Sequence, residues 1–238
     1  KIQANNLRLA DPRKLTTAAE TEALLASAPA ITWINHCIHG DETASFEAFM
    51  GTFYTLAASE APQIKEALRN SVVILNPVFN PDGHERCTVY YNSIGLGLPD
   101  GSAFERSQPW VVSGRFNHYR FDMNRDKMVQ SQIEVQQEIA AYLKWYPHVY
   151  VDEHGQPETY FFPPNPEAIH TGVDVARLNK WTNVFGKANA ATFDTFGWQH
   201  VTKEDFDFFY PGYLDSWATF SGAIGMTYET DGGYTLTR

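Results

Sequence analysis

The 238-residue chain carries 28 acidic against 18 basic side chains, a formal charge of −10, with 43% apolar and 19% charged residues. That balance fits a globular domain able to bury a sizeable core, and it excludes nucleic acid as a partner, because phosphate binding needs clustered Lys and Arg. No apolar run approaches the roughly 20 residues that cross a bilayer, so no membrane span is expected.

The chain opens on Lys1 without a signal-peptide pattern, which points to a processed or excised piece forming one domain over 1–238. Thr16 or Thr17 caps a helix running to about Ser27, with Glu20 placed for a capping box. A strand starts at Ala30. Thr43 opens a helix on which Phe46, Phe49, Met50, Phe53 and Tyr54 recur at helical spacing and should face the core. A short helix over 63–69 feeds a strand from Ser71. Between Asn92 and His118, Gly95, Gly97, Pro99, Gly101 and Pro109 break the pattern into a long loop, of a length usually tied to function. Ile133, Ile139, Tyr142 and Leu143 mark a helix over about 131–146, followed by a strand from His148. Helix over Asp174–Asn189, an aromatic loop from Phe206 to Tyr213, a short helix around Trp217 and a strand from Ile224 complete the chain. Strands alternating with helices imply a mainly parallel sheet covered on both faces.

Four of the strands run into residues that bind metals or move protons. They are His39-Gly40-Asp41-Glu42, Asn80-Pro81-Asp82-Gly83, Asp152-Glu153-His154-Gly155 and Glu229. In an open α/β sheet, ligands lie outside the carboxyl ends of strands, where distant segments meet. His39 and Glu42, three apart across a glycine that permits a sharp turn, can reach one ion from one loop. His154 completes a His2Glu set, which leaves a fourth zinc position open, as in catalytic sites. His36, His84, His118, His148, His170 and His200 read as packed or rim histidines. Cys37 and Cys87 lack zinc-motif spacing and read as buried thiols or one disulfide.

With Asp122-Met123-Asn124-Arg125 and Thr227-Tyr228-Glu229, these motifs stand in an order that closely resembles the zinc carboxypeptidases of the A, B and T type, over about 30 to 230. The resemblance implies an α/β fold, a mixed, mainly parallel twisted sheet with helices on both faces, here shortened at both ends. It implies one Zn2+ per chain on His39, Glu42 and His154, with Asp122 orienting a ligand histidine. It implies Glu229 as the general base for a zinc-activated water, and Arg115, in Arg115-Phe116-Asn117, holding the developing oxyanion, with Arg106 as the fallback. Asn124 and Arg125 match the pair that grips the terminal carboxylate of a peptide with a free C-terminus. Tyr210-Pro211 matches the family Tyr-Pro ahead of Trp217, which gives Tyr210 the role of closing over substrate. That stretch is about two residues short and carries Gly212-Tyr213 in place of Ser-Gly, so Tyr213 is the alternative. Asp215, two before Trp217, either favours a terminal Lys or Arg or lies exposed. The resemblance also favours a secreted or periplasmic location.

The leading expectation is thus a metallocarboxypeptidase removing C-terminal residues. The alternatives are a zinc-dependent deacylase or amidohydrolase on a related scaffold, and a non-catalytic peptide-binding module. Asn124-Arg125 and Tyr210-Pro211 favour the carboxypeptidase over the deacylase, and the intact ligand set and base weigh against the binding module.

Overall fold

The computed structural model describes residues 1–95, 109–156, 161–162, 168–203 and 206–231. Most of the long glycine- and proline-rich loop, and with it Arg106, lies outside the described residues. Helices α1 (Ile2–Leu9) and α2 (Ala18–Ser27) lead into β1 (Ala30–His36), α3 (Thr43–Ala58), α4 (Pro62–Asn70) and β2 (Ser71–Asn76). Next come α5 (Pro81–Ile94), α6 (Ile133–Trp145), β3 (Val149–Gln156), β4 (Phe161–Phe162), α7 (Val175–Phe196), β5 (Val201–Thr202), α8 (Leu214–Phe220) and β6 (Ile224–Asp231). The sheet order is β2-β1-β3-β6-β4-β5, parallel except where β4 meets β6. The sheet is mixed and mainly parallel, as the alternation of strands and helices implies.

Local chemistry sets most boundaries. Thr17 caps α2 by accepting from the Glu20 amide at 3.1 Å, and Glu20 reaches back to the Thr16 amide at 3.0 Å. Gly197, with φ +67°, ends α7 seven residues beyond the Asn189 expected from sequence. The short strands β4 and β5 and the helix α1 carry no sequence signal strong enough to have announced them, whereas α5 has one that was missed, an Asn80 cap followed by Pro81 at the first helical position.

Alternation along β3 divides the interior. Tyr150 faces a cluster with Trp33, Met123, Val135, Ile139, Tyr142 and Leu214, between the sheet and helices α6 and α8. Val149 and Val151 face the other way, against Met226 and Phe185 of α7. The α3 stripe departs from its expected role. Only its first turns pack, with Phe46 edge-on to His84 and Phe49 edge-on to His36. Met50, Phe53 and Tyr54, on the later turns of the helix, are exposed.

Beneath the strand ends, Lys127 is fully buried and its ammonium pairs with Glu138, which also accepts from the Tyr150 hydroxyl at 2.7 Å. The ammonium lies over the Trp217 ring at 4.7 Å. Burial pushes the lysine pKa down while Glu138 opposes the shift. Removing one partner of such a pair strands the other charge in the core. Lys127→Met is therefore expected to lower unfolding free energy by about 3–5 kcal/mol, and Lys127→Met with Glu138→Gln to recover most of it. Urea unfolding measures both, and equal stability of single and double variants would contradict the assignment.

Candidate metal centre and active site

The chain leaves β1 through Cys37, whose φ of +60° is left-handed, and turns again at Gly40-Asp41, where the Glu42 amide donates to His39 O at 3.2 Å. Gly40 is required for a further reason. A Cβ on it would stand 2.1 Å from the His84 amide nitrogen, and one on Gly83 would stand 2.1 Å from the Gly114 carbonyl. Gly40, Gly83 and Gly114 thus bring the loop after β1, the start of α5 and the segment before Arg115 into backbone contact, closed by Gly40 N–H donating to Gly114 O at 2.8 Å. Asn80 fastens the same junction. Its side chain accepts from the Gly83 amide and donates to the carbonyls of Ile38 and Arg115 at 3.1 and 3.2 Å. The Asn-Pro-Asp-Gly motif is therefore a brace that delivers His39 and Arg115 to one place.

Parallel register does the rest. His154 of β3 pairs with Glu229 of β6, and Asp152 with Thr227, so all four project to one face. His39, Glu42 and His154 converge as a buried group with ligand atoms within 4.8 Å of one another. His39 Nδ1 lies 2.7 Å from Glu42 Oε1, and His154 Nδ1 lies 2.8 Å from Glu42 Oε2. The two Nδ1 atoms face each other at 3.2 Å. Each Nε2 turns outward to a carboxylate, His39 to Asp122 Oδ1 at 3.0 Å and His154 to Asp152 Oδ2 at 2.6 Å.

That donor set fits a divalent cation. With each Nε2–H donating to a carboxylate, each Nδ1 is turned to Glu42 and to the other ring, where a proton or a divalent cation can be bound. Electrostatics agree. Burial alone pushes both imidazoles down, but Glu42, Asp122 and Asp152 outweigh it, holding His39 above and His154 well above the usual imidazole range. Burial likewise pushes Glu42 up, and the two histidines reverse it, holding the carboxylate well below its ordinary range.

The other sequence candidates line the same cavity, of about 340 Å³, with Tyr210 the exception. Arg115 donates from Nε and Nη2 to Asp122 Oδ2 at 3.1 and 2.8 Å, and its Nη1 faces the cluster, 3.5 Å from Glu42 Oε1. Arg125 is exposed, held by Asn124 O at 2.9 Å and by the Tyr213 ring 4.5 Å below it. Asn124 is buried, donating to Asp152 Oδ2 and accepting from the Leu214 amide. The Tyr210 hydroxyl donates to Arg125 O at 3.0 Å, whereas Tyr213 forms part of the cavity wall. Asp215 is buried in that wall, which excludes the exposed alternative. Its oxygens accept from the Ser216 amide and the Thr227 hydroxyl, and burial pushes its pKa up to about 6. Cys37 and Cys87 are both buried, with no disulfide between them. Asp152 was missed as a site residue. Its signal was its place two before His154 on a strand, which puts both on one face.

A sequence profile of the zinc carboxypeptidases matches residues 14–236. The chain belongs to the zinc carboxypeptidase family. Among solved structures it is similar to a metallo-carboxypeptidase from Pseudomonas aeruginosa in complex with (2-guanidinoethylmercapto)succinic acid, at 14% identity and a TM-score of 0.65, covering 87% of this chain and 49% of that one. It is also similar to a metallo-carboxypeptidase from Burkholderia cenocepacia, at 15% identity and a TM-score of 0.64, with 87% and 49% covered. The carboxypeptidase A of Helicoverpa armigera matches at 16% identity and a TM-score of 0.52, with 89% and 54% covered. At these identities the likeness establishes the zinc carboxypeptidase fold, and the chain spans about half the length of these structures. No curated protein sequence matches it. Among the described residues no helix is long and apolar enough to cross a membrane.

Glu229 offers a test by pH. Burial pushes its carboxyl from 4.5 up to about 7, with His154 opposing. A carboxyl raised in the folded state contributes stability that is full below 4.5 and lost as pH rises through about 7. In the metal-free chain, Glu229→Gln is therefore expected to reduce the loss of unfolding free energy between about pH 5 and about pH 8 by roughly 1–3 kcal/mol. Denaturant titrations of both proteins in chelator measure it. Parallel pH profiles would contradict the shifted carboxyl.

Proposed function

We propose that the chain is a catalytic domain hydrolysing the C-terminal peptide bond of peptides with a free terminus, with one zinc held by His39, Glu42 and His154. The observation that carries this reading is the convergence of those three ligands with Glu229, Arg115 and Arg125 around one cavity. Zinc bound there supplies a Lewis acid that lowers the pKa of water and polarises a carbonyl.

The remaining chemistry belongs to the chain. Glu229 stands beside His154 in register, and its carboxyl, raised to about 7, suits a group that takes a proton from water and returns it to the leaving amine near neutral pH. Arg115 is braced on Asp122, which leaves Nη1 directed at the cluster, where a fixed positive charge stabilises the oxygen that becomes negative. Arg125 carries an exposed guanidinium able to grip a carboxylate bidentately. Its support from Tyr213 and the bond of Tyr210 to its carbonyl favour Tyr213 as the tyrosine facing substrate and Tyr210 as a prop.

Glu229→Gln keeps the shape of the base but cannot accept a proton. It is expected to lower kcat by about 10²–10⁴-fold while zinc content and peptide binding stay close to those of the wild type. Near-normal turnover would remove Glu229 from the mechanism.

Recognition of the free end separates this reading from the deacylase. Kinetics of Arg125→Ala and wild type on peptides with free and amidated ends form a double-mutant cycle. The expected coupling is about 1.5–3 kcal/mol, the value of a hydrogen bond to a charged group. A coupling near zero would show that Arg125 does not read the chain end and would favour the deacylase.

A further inference from the structure

The turn over Met123–Arg125 reaches both ligand imidazoles by separate routes. On one side Asp122 Oδ1 accepts from His39 Nε2 and from the amide of Asn124, both at 3.0 Å. On the other, His154 Nε2 donates to Asp152 Oδ2, and the Asn124 side-chain amide donates to the same oxygen at 3.1 Å. The far end of that amide is engaged as well, with Asn124 Oδ1 accepting from the Leu214 amide at 2.9 Å, at the first residue of α8 and next to Tyr213. Asp152 is 1% exposed, and its Oδ1 has no hydrogen-bond partner among the described residues, so the hydrogen bonds of its side chain pass through Oδ2.

We propose that Asp152 and Asn124 are positioning residues forming one bridge from the ligand His154 to the start of α8, so that the same hydrogen bonds set metal affinity and the substrate wall. This rests on the metal site proposed above and assigns Asn124 a different task from the one its resemblance implies. A carboxylate accepting from Nε2 fixes the tautomer that leaves Nδ1 as the metal donor, and removing such a partner costs about 10–100-fold in metal affinity. Asn124 orients that carboxylate, because its amide can point at Oδ2 only while its oxygen is held by Leu214. An amide that served only the substrate carboxylate would leave zinc affinity untouched when removed.

Zinc affinity measured by competition with a chromophoric chelator decides between the two, with the cobalt-substituted absorption spectrum as a second readout. Asp152→Asn is expected to bind zinc about 10–100-fold more weakly and to shift the cobalt bands, while its metal-free circular dichroism stays that of the wild type. Asn124→Ala, which leaves Asp152 in place and covers the case of a misfolded Asp152→Asn, is expected to weaken zinc by at least about fivefold. The two changes together should cost no more than Asp152→Asn alone, because they break one link. Arg125→Ala should leave zinc affinity unchanged. Zinc affinities of Asp152→Asn and Asn124→Ala within about threefold of the wild type, or fully additive losses, would overturn the bridge while leaving the metal site standing. A wild-type chain that binds no zinc would overturn both.

Discussion

Two imidazole nitrogens held 3.2 Å apart, each with its other nitrogen committed to a carboxylate, form the constraint on which the rest of the centre depends. Whatever occupies the space between them must be a proton or a cation, and burial makes the electrostatics there stronger by removing water. The chain answers with Glu42 between them and with Asp122 and Asp152 behind them. Three buried or half-buried carboxylates around two histidines make a place that favours positive charge. Such a group is costly to desolvate without its cation, which marks it as a candidate functional site.

Assembly falls to packing at two levels. The parallel register of β1, β3 and β6 brings the strand ends level, which sets His154 beside Glu229 without any side-chain interaction between the strands being needed. The junction of Gly40, Gly83 and Gly114 then draws three loops together to a distance that no side chain would allow. Beneath them the buried Lys127–Glu138 pair and the Tyr150 hydroxyl join the 122–132 segment to α6 and β3. The site therefore stands on a buried, hydrogen-bonded floor, with a wall that includes Tyr213 and Asp215 at the start of α8.

Much of this was legible in the sequence. Apolar runs ending in His, Asn or Glu announced both the sheet and the end of it where the candidate site lies, and the His-x-x-Glu spacing with a distant His picked out the three side chains that converge as a group able to hold a metal. What escaped the sequence depends on three-dimensional company. Gly40 reads as a turn residue and stands in the His39–Glu42 turn, yet the left-handed residue is Cys37 and the glycine answers to α5 packing as well. The α3 stripe reads as core, because periodicity reports that one face is apolar but not whether an element covers it. Asp152 looks like an ordinary strand residue until its register beside Thr227 and its bond to His154 are seen. Tyr210 and Tyr213 cannot be separated by spacing, since the choice turns on which hydroxyl is already engaged by Arg125 O.

The central claim is a His2Glu centre made of these three side chains. X-ray absorption at the zinc edge of the reconstituted chain tests it most directly. The account predicts one zinc per chain with a first shell of two imidazole nitrogens and oxygen donors, and loss of one imidazole contribution in His154→Ala. A shell containing sulfur from Cys37 or Cys87, or one unchanged when His154 is replaced, would contradict it.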